Sequence, residues 1–323
     1  MNLVKSTQAR RQREYESDMR IFASTSCLPD HSLDLVVPFL FESGFDGVEL
    51  SASAPDPGIV NKIAQWRSLG MLSIHNYFPR PQDDFVFNLA SADDGVLSRS
   101  LRHARSVLEL AHDHSMGWVS FHSGFLFDPL PEELGQSVTP RPLNNREEAL
   151  ETFIDRARIV SEYGARKGVR VLWENNVLSA ANHEAFSTNP FLLVEPHEML
   201  TFSSQMPDNS GLLLDVAHLS VSCQSLGIDR VSALQSLESA VTGVHLSEDS
   251  GVIDDGMLLS PGSWFWEHLP ESPEYCVVES HFVDGHGIAV QQNQVARIGL
   301  RKARDRRMVQ KPGAETGSGR SSS

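Results

Sequence analysis

Seven ionisable residues of this chain share a setting: His75, His122, Glu174, Asp215, His218, His245 and Glu279. Each lies at or just beyond the end of a short apolar run of the kind that forms a buried β-strand. The stretch "GVRVLWENNVLS", residues 168–179, is the clearest case. Its strand-like run is broken only by Arg170 and ends abruptly in Glu174, Asn175 and Asn176. Burying a lone carboxylate there costs on the order of several kcal/mol unless it is paired, hydrogen-bonded or bound to a cation. Taken singly, each of the seven is an ordinary turn residue, and "DVAH" around Asp215 and His218 needs to do no more than open a loop. Together they place Glu, Asp, His and Glu on four consecutive strands, and that coincidence asks for one or two divalent cations. All the donors are oxygen or nitrogen. Mixed imidazole and carboxylate ligation suits Mn²⁺, Co²⁺ or Zn²⁺ better than Mg²⁺.

For these residues to meet, the strands that carry them must converge. Eight runs read as strands: "RIFASTS" (20–26), "GVELS" (47–51), "MLSIHN" (71–76), "WVSFHS" (118–123), "VRVLWEN" (169–175), "GLLLDVAH" (211–218), "VTGVHLS" (241–247) and "YCVVESH" (275–281). Amphipathic segments lie between them, such as 98–114 and 146–168, the second ending in Gly168 as a helix C-cap. Eight alternating units predict a single (β/α)₈ TIM barrel of the α/β class over residues 19–300, in which strand C-termini meet on one face. An open dinucleotide-binding sheet would carry a Gly-rich turn after its first strand, and "STSCLPDHS" has none. Residues 1–18 read as a disordered extension, and the basic, then Gly/Ser-rich residues 301–323 as a disordered tail.

The net charge of −15 argues against nucleic acid as a partner, since phosphate binding wants a basic surface. Cys27, Cys223 and Cys276 are widely spaced, with no CxxC, so neither a disulfide framework nor a thiolate zinc site is supported and a reducing cytoplasm fits. Cys27 reads as a plain buried thiol. No apolar run reaches membrane-spanning length, and the charged N-terminus is unlike a signal peptide.

With these motifs in order, the chain resembles the xylose-isomerase-like TIM-barrel superfamily, which includes sugar phosphate isomerases and epimerases and endonuclease IV-type enzymes. The resemblance is carried by "GFDGVELS", "SIHNYFP" with "FVFNLAS", "SFHSGF", "LWENNVLS", "LLLDVAHLSVS", "VHLSEDSG" and "VVES". It implies a metal quartet at Glu174, Asp215, His245 and Glu279. It implies a substrate contact at His218, and a second metal at His75 and His122 of the kind the endonucleases hold, sharing Glu174. The same resemblance makes Glu174 and Glu279 the acid and base of an epimerase, approaching the sugar from opposite faces. A homodimer would also suit the family. One departure concerns the endonucleases' Asp-x-His after the seventh strand: Asp254 and Asp255 are followed here by Gly256 and Met257, so a three-metal phosphodiesterase centre is disfavoured.

The expected chemistry is a divalent-metal-dependent isomerisation or epimerisation of a sugar or related polyhydroxylated carbonyl compound. It would proceed by enediolate proton transfer between two glutamates. The alternative is a metal-dependent hydrolase or lyase. Xylose isomerase's own hydride shift uses a strand-end lysine, and none of Lys5, Lys62, Lys167, Lys302 and Lys311 falls at a strand end. Tyr77 and Arg80 after the third strand, and Trp264 and Trp266 in the loop after the seventh, are candidate substrate contacts. Arg80 or Arg141 could take a phosphate or carboxylate. Asn175 and Asn176 could bind substrate hydroxyls or orient Glu174.

Overall fold

The computed structural model describes residues 20–51, 58–270, 273–282 and 285–310. All eight apolar runs form strands: β1 (Ile21–Ser24), β2 (Gly47–Leu50), β3 (Met71–His75), β4 (Trp118–His122), β5 (Arg170–Glu174), β6 (Ser210–Asp215), β7 (Val241–Leu246) and β8 (Tyr275–Val278). They close into one parallel barrel in sequence order, with β8 pairing back onto β1. The helices of its outer layer are α1 (Leu33–Glu42), α2 (Ile59–Arg67), α3 (Asp94–Asp113), α4 (Arg146–Lys167), α5 (Ala180–Phe186), α6 (Pro196–Ser203), α7 (Val216–Leu226), α8 (Arg230–Ser236) and α9 (Gly285–Gln310). The protein is therefore a (β/α)₈ TIM barrel. Among the described residues no helix is long and apolar enough to cross a membrane.

Strand alternation divides the barrel into two environments. One set of residues, including Ala23, Val48, Ile74, Phe121, Trp173, Leu214, Val244 and Val278, packs outward with the helices. The other set faces the axis. Its lower layer is a small apolar cluster of Phe22, Leu172, Leu213, Tyr275 and Val277, with Met71 and Trp118 packed against it. Above it the same strand faces turn polar, with Ser24, Glu49, Ser73 and Ser120 all buried. The ionisable strand ends form the top.

Local signals place the helices. Asn145 caps α4 by accepting from Glu148 N, acids Glu147 and Glu148 fill its first turn, and Gly168 ends it at φ 68°. The last helix departs from expectation. α9 runs to Gln310, past the boundary set at residue 300, so the first part of the expected tail is helical. Arg, Lys and Ala are good helix formers, and Leu300 and Ala303 are buried, which ties this end to the barrel. Residues 1–18 and 311–323, read as disordered in the sequence, lie outside the described residues.

Candidate functional site

Parallel register sets the mouth of the barrel. His122 on β4 is the direct partner of Glu174 on β5, and Asp215 on β6 is the partner of His245 on β7. Neighbouring strands lie about 4.8 Å apart, so such partners share one face at contact range. Glu174 is the hub. Its Oε2 lies 2.8 Å from His75 Nε2 and 3.2 Å from His122 Nδ1. Its Oε1 lies 3.3 Å from His245 Nδ1 and 3.7 Å from His218 Nδ1. The carboxylate is 1% exposed, so the burial problem posed by "LWENN" is real and is met by four imidazoles.

His245 closes the other side. Its Nδ1 is 3.0 Å from Glu279 Oε2 and 3.9 Å from Asp215 Oδ2. Candidate ligand atoms of Glu174, Asp215, His245 and Glu279 all lie within 4.8 Å of one another, and those of His75, His122 and Glu174 form a second such group. Among the described residues the ion-pair partners of these acids are histidines, with no lysine or arginine. Among the described residues neither ring nitrogen of His245 makes a well-aligned hydrogen bond, although carboxylate oxygens approach to 3.0 Å. A buried set of oxygen and nitrogen donors with orphaned imidazole nitrogens fits a divalent transition metal.

Asp215 does two jobs. Its Oδ1 caps α7 by accepting from His218 N at 2.7 Å, so "DVAH" does open the next element, while Oδ2 faces the quartet. Asn175 braces it: the carboxamide accepts from Asp215 N at 2.8 Å and donates to Asp215 O at 3.2 Å. Asn175 O also lies 2.8 Å from His218 Nδ1, and His218 Nε2 meets Asp254 Oδ2 at 3.2 Å. Asn176 turns away to donate to Gly124 O and Leu192 O, tying loops together.

Several expected substrate contacts have other partners. Tyr77 OH accepts from Phe87 N at 2.6 Å and is pushed up to about 12 by burial, so it braces its own loop. Arg80 forms a two-point ion pair with Asp84, and Arg141 pairs with Glu133. Trp266 is buried, donates from Nε1 to Ser260 O at 2.7 Å and sits where a Cβ on Gly299 of α9 would clash. Its role is to seat α9 against the barrel. Trp264 lies under the guanidinium of Arg230, 4.5 Å from ring centroid to Cζ. Cys27 is a free, buried thiol, as expected.

Sequence reasoning missed Glu49, which is fully buried on β2 with Oε1 3.2 Å from His245 Nε2. It also missed Asp254 as the partner of His218, and Ser26, whose hydroxyl reaches Glu279 Oε1 at 3.4 Å. The signal for Glu49 was present: a carboxylate in the apolar run "GVEL" poses the same burial problem as Glu174.

Electrostatics divide the histidines. Burial, against the pull of Glu174, pushes His122 down to about 4 and keeps it neutral. Burial likewise opposes charge on His245, but Glu279, Glu49 and Glu174 raise it well above its ordinary value. His218 is raised over its burial penalty by Asp215 and Asp254. Burial pushes Asp215 up to about 7. Burial also acts to raise Glu174, yet His122 and His245 hold it well below the usual carboxylate range.

A family model described as xylose isomerase-like TIM barrel matches residues 37–290. Similar solved structures include L-ribulose 3-epimerase, with TM-score 0.67, 16% identity and coverage of 92% of this chain and 99% of that one. A D-tagatose 3-epimerase-like protein gives TM-score 0.64 at 16% identity, covering 89% of this chain and 99% of the other. The IOLI protein with a bound zinc atom gives TM-score 0.64 at 14% identity, with the same 89% and 99% coverage. At these identities the likeness is one of fold. Comparison with curated protein sequences gives no match. The family match spans most of the barrel and includes seven of its eight strands, so the chain belongs to the xylose isomerase-like TIM barrel family.

Proposed function

We propose that the protein is a divalent-metal-dependent isomerase or epimerase acting on a sugar or related polyhydroxylated carbonyl compound. The observation that carries this reading is the convergence of Glu174 and Glu279 on one buried imidazole nitrogen, at 3.3 and 3.0 Å, within the quartet completed by Asp215. Glu174, Asp215, His245 and Glu279 would hold Mn²⁺, Co²⁺ or Zn²⁺. A cation there supplies Lewis acidity, acidifying the carbon between the carbonyl and hydroxyl of an α-hydroxyketone.

The chain's own residues then move the proton. One glutamate removes it from the acidified carbon, and the enediolate is reprotonated by the other. Delivery from the opposite face inverts the carbon, and transfer to the neighbouring carbon isomerises it. Glu279, with 20% of its side chain exposed, is the carboxylate open to the mouth, whereas Glu174 is enclosed by histidines. His218 is held by Asn175 through Nδ1 and by Asp254 through Nε2, so a substrate oxygen would take its Nε2–H by displacing the Asp254 carboxylate. Arg80 and Arg141 are already ion-paired, which favours a neutral substrate over a phosphorylated one. The epimerase names of similar folds add support of the same direction.

The test combines metal content with solvent-deuterium incorporation across a panel of ketoses and their phosphates. Deuterium at a single carbon, lost in Glu174→Gln, is the expected result. No exchange with any ketose, or full turnover by a metal-loaded Glu174→Gln protein, would overturn the reading. Two or three tightly held zinc ions per chain would instead favour hydrolytic chemistry, for which His75 and His122 are the supporting residues.

A further inference from the structure

The polar middle layer of the barrel holds a carboxylate that the proton-transfer scheme does not use. Glu49 is 0% exposed and faces inward from β2 between Ser24 on β1 and Ser73 on β3. Its two oxygens have different surroundings. Oε2 accepts from the Tyr275 hydroxyl at 2.5 Å and from Ser120 Oγ at 3.3 Å, and Ser73 Oγ lies 2.5 Å from the same Tyr275 hydroxyl. Among the described residues Oε1 makes no hydrogen bond and lies 3.2 Å from His245 Nε2, which makes none either. Two buried, complementary atoms at that separation are within hydrogen-bond distance of each other.

We propose that Glu49 is a positioning residue for His245, accepting its Nε2–H and thereby presenting Nδ1 as a bare lone pair to the cation. This inference rests on the metal site proposed above. A neutral imidazole carries one N–H, and the partner of one nitrogen decides what the other offers. Nδ1 is surrounded by Glu279 Oε2, Glu174 Oε1 and Asp215 Oδ2, at 3.0, 3.3 and 3.9 Å. Left alone, those three acceptors favour the tautomer with hydrogen on Nδ1, which cannot ligate. Glu49 is the acceptor on the opposite side, and a hydrogen held there leaves Nδ1 bare for the cation. Tyr275 and Ser120 occupy Oε2 and leave Oε1 for His245.

The experiment measures Mn²⁺ affinity by titration calorimetry and the visible absorption of bound Co²⁺ in wild type, Glu49→Gln and Tyr275→Phe. Glu49→Gln should weaken Mn²⁺ binding roughly 10–100-fold and alter the Co²⁺ bands. Its metal-free Tm is measured alongside, so that the change in affinity is read per folded chain. Tyr275→Phe keeps the carboxylate but removes a donor to Oε2, so a smaller shift in the same direction is expected. In a His245→Ala background Glu49→Gln should cost no further affinity. Wild-type affinity and an unchanged Co²⁺ spectrum in Glu49→Gln would overturn the proposal, as would an equal loss in the His245→Ala background. If Glu49→Gln does not fold, an unchanged spectrum in Tyr275→Phe overturns it. A wild-type protein that binds neither ion would refute the metal site itself.

Discussion

Metal binding should release protons, and the number released should change near neutrality. Metal ligands must be deprotonated, and two members of the quartet hold protons in the metal-free protein. His245 is raised well above its ordinary value: burial opposes its charge, but Glu279, Glu49 and Glu174 outweigh it. Asp215 is pushed up to about 7 by burial. Each displaced proton changes affinity about tenfold per pH unit, about 1.4 kcal/mol. Below pH 7 both protons must leave, so Mn²⁺ affinity should climb roughly 100-fold per unit; above it only His245 contributes, and the slope falls to about tenfold. Titration calorimetry of chelator-treated protein at about pH 6 to 8, in buffers of different ionisation enthalpy, counts the protons directly. Stability follows the same linkage. Both folded values lie above the unfolded ones, so the stability they lend is present at low pH and lost as pH rises through them. The rise in Tm on adding metal should therefore grow across that range. An affinity independent of pH, with heats indifferent to buffer, would refute the reasoning.

Three further substitutions test separate parts of the site. Asn175→Ala removes both hydrogen bonds that brace the Asp215 backbone and should weaken Mn²⁺ binding about tenfold by calorimetry; unchanged affinity would show that α7 alone holds Asp215. Asp254→Asn removes a charge beside His218, whose pKa is raised over its burial penalty by Asp215 first and Asp254 next. The imidazole titration followed by NMR should move to lower pH, and no movement would place Asp254 elsewhere in solution. Gly47→Ala puts a Cβ 2.2 Å from the Phe22 ring in the apolar lower layer. It should cost about 1–3 kcal/mol in denaturant unfolding, with metal affinity per folded chain unchanged.

The strand ends were legible because a parallel barrel buries its strands on both faces, so each strand is an apolar run and any polar terminus stands out. That contrast placed Glu174, Asp215, His245 and Glu279 at one mouth, where the structure brings their ligand atoms within 4.8 Å. Glu49 offered the same contrast but not at a strand end. It lies one residue before the end of β2, and inward and outward positions separate only when register is known. The loop aromatics were ambiguous for another reason. An aromatic ring that stacks on a sugar and one that seats a helix look alike in sequence, and Trp266 does the second because Gly299 leaves α9 room to approach. The start of the tail was set too early, at residue 301, because charge density there outweighed helix propensity, although Ala303 on α9 is buried.

The vertical order of the barrel interior then says what the polar layer is for. At the bottom, Phe22, Leu172, Leu213 and Val277 fill the space with apolar volume. A barrel built for stability alone would continue that filling upward, since replacing buried ionic groups with well-packed hydrophobic ones is often neutral or stabilising. This chain instead buries Glu49 completely, among Ser73, Ser120 and Tyr275, directly beneath the acid and imidazole cluster. The cost of that carboxylate is incurred one layer below the chemistry, and the group it faces across 3.2 Å is the one histidine of the quartet. The middle layer is intelligible as support for the top one: it orients His245, and His245 is where Glu174 and Glu279 meet.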